Sequence, residues 1–285
     1  MKSAAGAGTL TVVATSLGNA SDLSSRAAAA LRDADVILAE DTRSAYKLLH
    51  DIGVSEPPRV LSCFDANEAA RAEEIAALLA GGARVTLVSE AGTPLVSDPG
   101  YRVVAAAIAA GARVVPVPGP SAVLAALVAA GLPTDKFLFL GFPPRKSGAR
   151  RRLFESVRTL PFTLVLYESP LRAGATLADL AAVLGGERRA CLARELTKPH
   201  EEIVRDDLAA LTARYAEDRP LGEVTLVVAG AAGGAAEDLD DDDLLDRAQA
   251  MIAAGKSTRD AADELATLTG RPRREVYNLI TAARD

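Results

Sequence analysis

The residues of this 285-residue chain best suited to chemistry stand in loops that follow short apolar runs. After RVTLV, residues 84–88, comes SEAGTPLVSDPG, residues 89–100, with Gly92 and Gly100, Pro94 and Pro99. A glycine lets a ligand approach the backbone closely, and the prolines stiffen the loop. At the carboxyl end of a parallel strand, such a loop sits where open α/β sheets bind ligands. It is longer and stiffer than an ordinary strand-to-helix connection requires. Val117-Pro118-Gly119-Pro120-Ser121 and Thr15-Ser16-Leu17-Gly18-Asn19 have the same form: strand end, tight turn, helix start.

Charged groups gather at other strand ends. Glu40-Asp41-Thr42-Arg43 places two acids and a base where a strand meets a helix. Asp41 or Thr42 serves there as a helix cap with Arg43 solvated, or the cluster handles protons. Residues 194–200, with Glu195, Lys198 and His200, and Tyr167-Glu168-Ser169-Pro170 read either as polar turns or as further parts of a site. One carboxylate of the strand ends Glu40-Asp41-Arg43 and Glu195-Lys198-His200, or Lys198 with a depressed pKa, is the expected proton acceptor.

The stretch PPRKSGARRR, residues 143–152, holds Arg145, Lys146, Arg150, Arg151 and Arg152 and no acid, in a chain of net charge −6. It reads as a solvated helix start or as a phosphate-binding edge. Cations at a helix N-terminus oppose the macrodipole, and that cost favours the phosphate reading.

Other chemistries lack support. Cys63 and Cys191 make no disulfide framework and read as buried, inert thiols. With His50 and His200 as the only histidines, no metal site is expected. Gly255-Lys256-Ser257-Thr258 resembles the end of a P-loop, but the first glycine and the preceding strand are missing. There is no GxGxxG and no GxSxG.

These loops need a frame. The pattern predicts strands at 9–14, 36–39, 59–64, 84–89 and 113–117, alternating with helices at 24–33, 42–51, 67–79, 101–110 and 121–130. Asp22 or Ser21 is the expected cap of the first helix, and Ala72, Ile75, Leu78 and Leu79 should share one helix face. Alternation of this kind implies a mostly parallel sheet covered on both faces. The breakers Gly131 to Thr134 suggest a domain boundary. Beyond it come strands at 137–142, 162–167, 188–196, 201–204 and 223–229 and helices at 148–158, 171–184 and 206–215, with mixed pairing among the last three strands. A Gly/Ala linker at 230–236 and an acidic run at 237–243 precede three short helices, at 244–253, 259–267 and 273–283, with a helix-turn-helix look.

The expected class is therefore α/β: domains at 1–131 and 132–232, with a helical module at 237–285. Hydrophobic residues make up 49% of the chain, many of them alanine, enough for a closely packed core. No signal peptide and no membrane span is expected, which points to the cytoplasm.

The stretches VATSLGN, DVILAEDTR, VSEAGTPLVSDPGY, VVPVPGPSA, AAGLPTDKFLFLGFPPRK, LYESPLR, ARELTKPHEE and GEVTLVV together resemble the tetrapyrrole (corrin/porphyrin) methylase superfamily, over roughly residues 9–230. Ser16 stands where that family usually has proline, and Glu90 where it has aspartate. The resemblance implies two αβα domains with S-adenosylmethionine in the cleft between them, and a homodimer. It implies cofactor contacts from Ser89, Ala91, Gly92, Thr93, Pro94 and Asp98, from Pro118, Gly119, Pro120 and Ser121, and from Tyr167 and Glu168 in the second domain. The branch it points to methylates the ribose 2′-oxygen of a decoding-region cytidine in 16S RNA, free or in the small ribosomal subunit. Catalytic roles then fall to Glu40, Arg43, Glu195 and Lys198, and phosphate contacts to the five basic residues at 145–152. A corrin or porphyrin carbon methyltransferase, or a non-catalytic ribosome-binding protein of the same fold, are the alternatives.

Overall fold

A computed structural model describes residues 8–217, 219–231 and 239–283. The chain divides into two units, Met1–Glu155 with Thr163–Val228, and Ser156–Phe162 with Ala229–Asp285.

The first unit contains two five-stranded sheets. β1 (Thr9–Val13), β2 (Val36–Ala39), β3 (Arg59–Ser62), β4 (Arg84–Val88) and β5 (Arg113–Val117) lie in the order β3-β2-β4-β1-β5. Every neighbouring pair is parallel. Parallel neighbours need crossovers, supplied by α1 (Ser25–Arg32), α2 (Thr42–Asp51), α3 (Glu68–Ala80) and α4 (Tyr101–Ala109). Side chains alternate across each strand, so both faces must be apolar. Leu10, Leu38, Leu61 and Leu87 pack with Ile75 and Leu79 of α3 and Val103 of α4. Val13, Ile37, Ala39 and Val88 face the other way, onto Leu31 of α1 and Leu49 of α2.

The second sheet is mixed, in the order β6-β7-β10-β8-β9. It comprises β6 (Phe137–Phe139), β7 (Thr163–Glu168), β8 (Arg189–Arg194), β9 (Glu202–Asp207) and β10 (Val224–Val228). β6 and β7 are parallel, and the other pairs are antiparallel. Between the sheets in sequence lies α5 (Ala122–Ala130), whose Val123, Ala126 and Leu127 pack on Val165, Cys191 and Val227 of the second sheet. Gly131 ends α5 in the left-handed conformation. α6 (Ser147–Val157), α7 (Ala173–Leu184) and α8 (Leu208–Arg214) complete the αβα arrangement.

Several expected boundaries shift for local reasons. The first helix is capped by Ser24, whose Oγ accepts the Ala27 amide at 3.1 Å, and not by Ser21 or Asp22. Those two residues instead form a short 3-10 turn, capped by Asn19. The strand expected at 137–142 stops at Phe139, and the left-handed Gly141 turns the chain two residues later. The strand expected at 201–204 runs on to Asp207, whose side chain then caps α8.

The second unit packs α9 (Asp241–Ala253), α10 (Thr258–Thr269) and α11 (Arg273–Ala282) around Leu244, Ala248, Leu265, Val276 and Ile280. The expected Gly/Ala linker and the first residues of the acidic run lie mostly outside the described residues. Among the described residues no helix is long and apolar enough to cross a membrane.

Candidate active site

Because the first sheet is all parallel, its strands end along one edge. The order β2-β4-β1-β5 sets the loops after those four strands side by side. The register of the second sheet brings the end of β7, the start of β10 and the end of β8 together, since Val224 pairs with both Glu168 and Arg194.

Hydrogen bonds lock the loops to one another. The Thr15 amide donates to the Gly92 carbonyl at 2.8 Å, and the Thr93 hydroxyl donates to the Pro120 carbonyl at 2.9 Å. The buried Ser89 hydroxyl donates to the Gly92 carbonyl at 3.2 Å. At the far end of loop 89–100, the carboxylate of Glu68 accepts the amides of Gly100 and Arg102 at 2.8 and 2.9 Å. Glu68 thus caps α4 from outside the helix. Four non-glycine residues are described with positive φ: Leu95, Ser97, Glu195 and Thr197. All lie in the loops that follow β4 and β8, where strain is held by the surrounding bonds.

A cavity of about 470 Å³ lies among these loops, reached by both sheets. Gly92 (φ 77°), Leu17 and Val96 form one part of it, Phe142 and Tyr167 an aromatic wall, and Glu40, Glu90 and Asp98 an acidic one. A Cβ on Gly92 would sit 3.0 Å from Leu17, so a side chain there would crowd the space. The Tyr167 ring packs edge-on to Phe139, with centroids 5.0 Å apart. Burial, with Asp98 close by, pushes its hydroxyl up to about 12.

The three carboxyls differ in surroundings. Burial, reinforced by the charges of Glu40 and Glu90, pushes Asp98 up to about 6 although a Ser89 hydrogen bond opposes the shift. Glu40 is raised by burial and by Glu90, Asp65 and Asp41. Glu90 accepts a hydrogen bond from the Ser44 hydroxyl at 3.1 Å. It also borders a second cavity of about 310 Å³, lined by Ser16, Gly18, Lys47 and Ser89 among others.

Residues 9–212 match the model of the tetrapyrrole (corrin/porphyrin) methylases. The chain belongs to this family. It is 46% identical over 278 residues to the ribosomal RNA small subunit methyltransferase I of Mycobacterium bovis, covering 97% of this chain and 96% of that one. With the protein of the same name from Synechocystis it shares 42% over 272 residues, 95% and 97% of the two chains. The uroporphyrin-III-C-methyltransferase of Thermus thermophilus has the same fold, with TM-score 0.54, 22% identity and coverage of 82% and 99%. Diphthine synthase matches with TM-score 0.59, 20% identity and coverage of 78% and 90%.

In this methylase, Ala91, Gly92, Thr93, Asp98, Ser121, Tyr167 and Glu168 line the larger cavity, and Ser89 the smaller. Ser121 makes no capping bond to α5, which leaves its hydroxyl to the cavity. Pro94, Pro118 and Gly119 are not part of the lining, and a Cβ on Gly119 would meet Ala14 at 3.0 Å. Both carboxylate oxygens of Glu168 are engaged: Oε1 by the Ser169 amide at 2.7 Å and by Arg172 at 2.5 Å, Oε2 by the Thr176 hydroxyl at 2.6 Å. Its charge therefore holds the start of α7.

The acid/base groups separate. Glu40 lines the cavity. Arg43 lies outside the lining, its side chain 90% exposed and forked onto Asp41. That contact holds Asp41 down at about 2, and Asp41 also caps α2 by accepting the Arg43 amide. Lys198 does not have the depressed pKa allowed for it. Burial works to lower it, but hydrogen bonds to Glu195 at 3.0 Å and Glu223 at 3.1 Å leave it raised. The same bond lowers Glu195, so neither is poised to take up a proton. The Lys198 stem lies over Gly18, where any Cβ would overlap it, and the Asn19 amide donates to Thr197. Loop 195–200 is thus pinned across loop 15–19.

The basic stretch also divides. Arg150 is a correction: its side chain is 5% exposed and pairs with the equally buried Asp179 of α7 at 2.5 Å. Arg151 reaches the same carboxylate at 2.6 Å while remaining half exposed. Asp179 therefore supplies the negative charge that the first turn of α6 lacks in sequence. Arg145, Lys146 and Arg152 are exposed. Burial pushes the thiols of Cys63 and Cys191 up to about 11, in keeping with inert packing.

The cavity residues missed from sequence are chiefly Phe142, Gly222, Glu223 and Thr225. The last three arrive because β10 inserts antiparallel between β7 and β8, a pairing that local sequence does not specify.

Proposed function

We propose that this methylase transfers the methyl group of S-adenosylmethionine to the ribose 2′-hydroxyl of a decoding-region cytidine in 16S ribosomal RNA. The observation that carries the chemistry is the larger cavity, where a glycine-walled, aromatic-sided space meets carboxyl groups held above their ordinary range. The RNA acceptor is supported by the names of relatives that align along almost the whole chain.

The cavity suits the cofactor. S-adenosylmethionine is a cation with a flat adenine ring, and the cavity offers Glu40, Glu90 and Asp98 to the charge and Phe142 and Tyr167 to a ring. Ala91, Gly92, Thr93 and Ser121 would hold it through backbone and hydroxyl groups, with Ser89, Pro94, Pro118 and Gly119 shaping the loops behind. When bound, it supplies a methyl group already activated by the sulfonium. The protein's own work is to orient the acceptor and receive its proton. Asp98 receives that proton on its carboxylate, with Glu40 beside it raising its affinity. Glu195 and Lys198 position the loops, and Arg43 stands at the outer rim, where an RNA phosphate could displace part of its bond to Asp41.

Arg145, Lys146, Arg151 and Arg152 form the exposed face that takes RNA phosphates. The reading includes a cytoplasmic homodimer, with 1–131 and 132–232 as the halves that enclose the cofactor and 237–285 as an appended module. The test is transfer of labelled methyl from S-adenosylmethionine to small ribosomal subunits from a strain lacking this gene, followed by mapping of the modified nucleotide. Label at a cytidine 2′-oxygen is the expected result. Absence of label in the RNA overturns the reading.

A further inference from the structure

We infer that the C-terminal unit carries a binding site for single-stranded RNA, formed by Arg259, Arg274 and Tyr277, which holds phosphates through the guanidinium groups and stacks one unpaired base on the tyrosine. The inference rests on the reading that the substrate is RNA.

α10 and α11 meet around a concave site of about 420 Å³ lined by Arg259, Arg273, Arg274 and Tyr277. All four are exposed. The arginines of this unit are not equivalent. Arg271 is neutralised by Asp241 at 2.7 Å and Glu275 at 2.8 Å. Arg273 is forked onto Asp263. Arg259 and Arg274 have no ion-pair partner among the described residues, and both border the same site.

Their position sharpens the point. Each stands in the first turn of its helix, where the backbone dipole is already positive. α9 has Asp241, Asp242 and Asp243 in its first turn, as the dipole favours. In α6 the corresponding arginines are answered by the buried Asp179. The neighbouring acids of α10 and α11 are already engaged: Asp260 with the Ser257 cap, Asp263 with Arg273 at the site itself and Glu275 with Arg271. Two unanswered cations at two helix starts leave a positive site that an external anion fills.

Tyr277 selects the kind of anion. It is 42% exposed, one turn beyond Arg273 and Arg274, in a chain with no tryptophan and five tyrosines. Paired guanidinium groups beside an open aromatic face match a phosphate followed by an unstacked base. An acidic peptide would use the arginines and leave the ring idle.

The experiment uses the full chain with Arg259→Gln/Arg274→Gln and, separately, Tyr277→Leu. The probe is a labelled single-stranded 16S RNA fragment, with binding measured by fluorescence anisotropy over a salt series and cofactor affinity by calorimetry. Loss of two phosphate contacts should flatten the log–log salt slope by about 1.4 and weaken binding at least tenfold. Tyr277→Leu should weaken binding at least fivefold at unchanged slope. Arg259→Lys/Arg274→Lys should restore the slope, and cofactor affinity should not move. Variants that bind RNA as the parent does, while the parent methylates 16S RNA, overturn this inference and leave the proposed function standing. Polyglutamate competing as well as RNA of equal charge would overturn it in favour of an acidic protein partner. A parent chain that neither binds nor methylates RNA overturns both.

Discussion

The Thr93 hydroxyl donates to the carbonyl oxygen of Pro120 at 2.9 Å and joins the loop after β4 to the turn after β5. Both loops border the larger cavity, so this bond sets the width of one of its walls. Thr93→Val keeps the shape and removes the donor. A single neutral hydrogen bond contributes about 1 kcal/mol to stability, so the melting temperature should fall slightly, and cofactor affinity should fall as the wall loosens. Calorimetric titration checks this, and unchanged affinity would show that the bond does not shape the site.

In the proposed reaction Asp98 governs the acid limb. It acts as a base only when ionised, so methyl transfer should fall as pH drops through about 6. Asp98→Asn should abolish most turnover and, by removing one of the three carboxyls offered to the cofactor's positive charge, weaken cofactor binding. The stability effect has the opposite sense. A carboxyl whose folded pKa lies above its unfolded value stabilises the fold below the unfolded value and loses that contribution as pH rises through about 6. Asp98→Asn should therefore be more stable than the parent at pH 7.5, with the difference vanishing near pH 4. Thermal melts at the two pH values decide it.

Lys198 is held as a cation between Glu195 and Glu223. Lys198→Met should lower turnover by loosening the loop over Gly18, but leave the pH midpoint of the acid limb in place. A pH–rate profile whose midpoint moves with this substitution would return Lys198 to the role of base.

Arg150 and Lys146 lie four residues apart and should behave oppositely. Arg150→Met leaves a carboxylate buried among fewer partners, and should cost about 3 kcal/mol by denaturant unfolding. Lys146→Gln is an exposed change that should leave stability within about 0.5 kcal/mol and weaken RNA binding. Equal effects of both on stability would contradict the division of the basic stretch.

Gly92→Ala combines two penalties, a positive φ of 77° and a Cβ 3.0 Å from Leu17. Cofactor affinity should drop at least tenfold, and the second substitution Leu17→Ala should recover part of the loss by relieving the crowding.

The alternation of apolar runs and helices was enough to specify an α/β chain, because the periods of strand and helix are local properties. The three Gly/Pro loops were equally legible, since glycine and proline mark backbone demands whatever the surroundings. The role of each charged group was not. Glu40 and Arg43 are three residues apart in one motif, yet one lines the cavity and the other is forked onto Asp41 in solvent. Lys198 lost its place as a base to a glutamate 25 residues away, and Arg150 was drawn into the core by an aspartate on another helix. Sequence determines which charges exist and which loops are rigid. Burial and partners set pKa and exposure, and these are decided by segments distant in the chain, so only the tertiary structure could show that the Asp98 carboxyl is raised and that the carboxyl edge of the sheet holds a cavity.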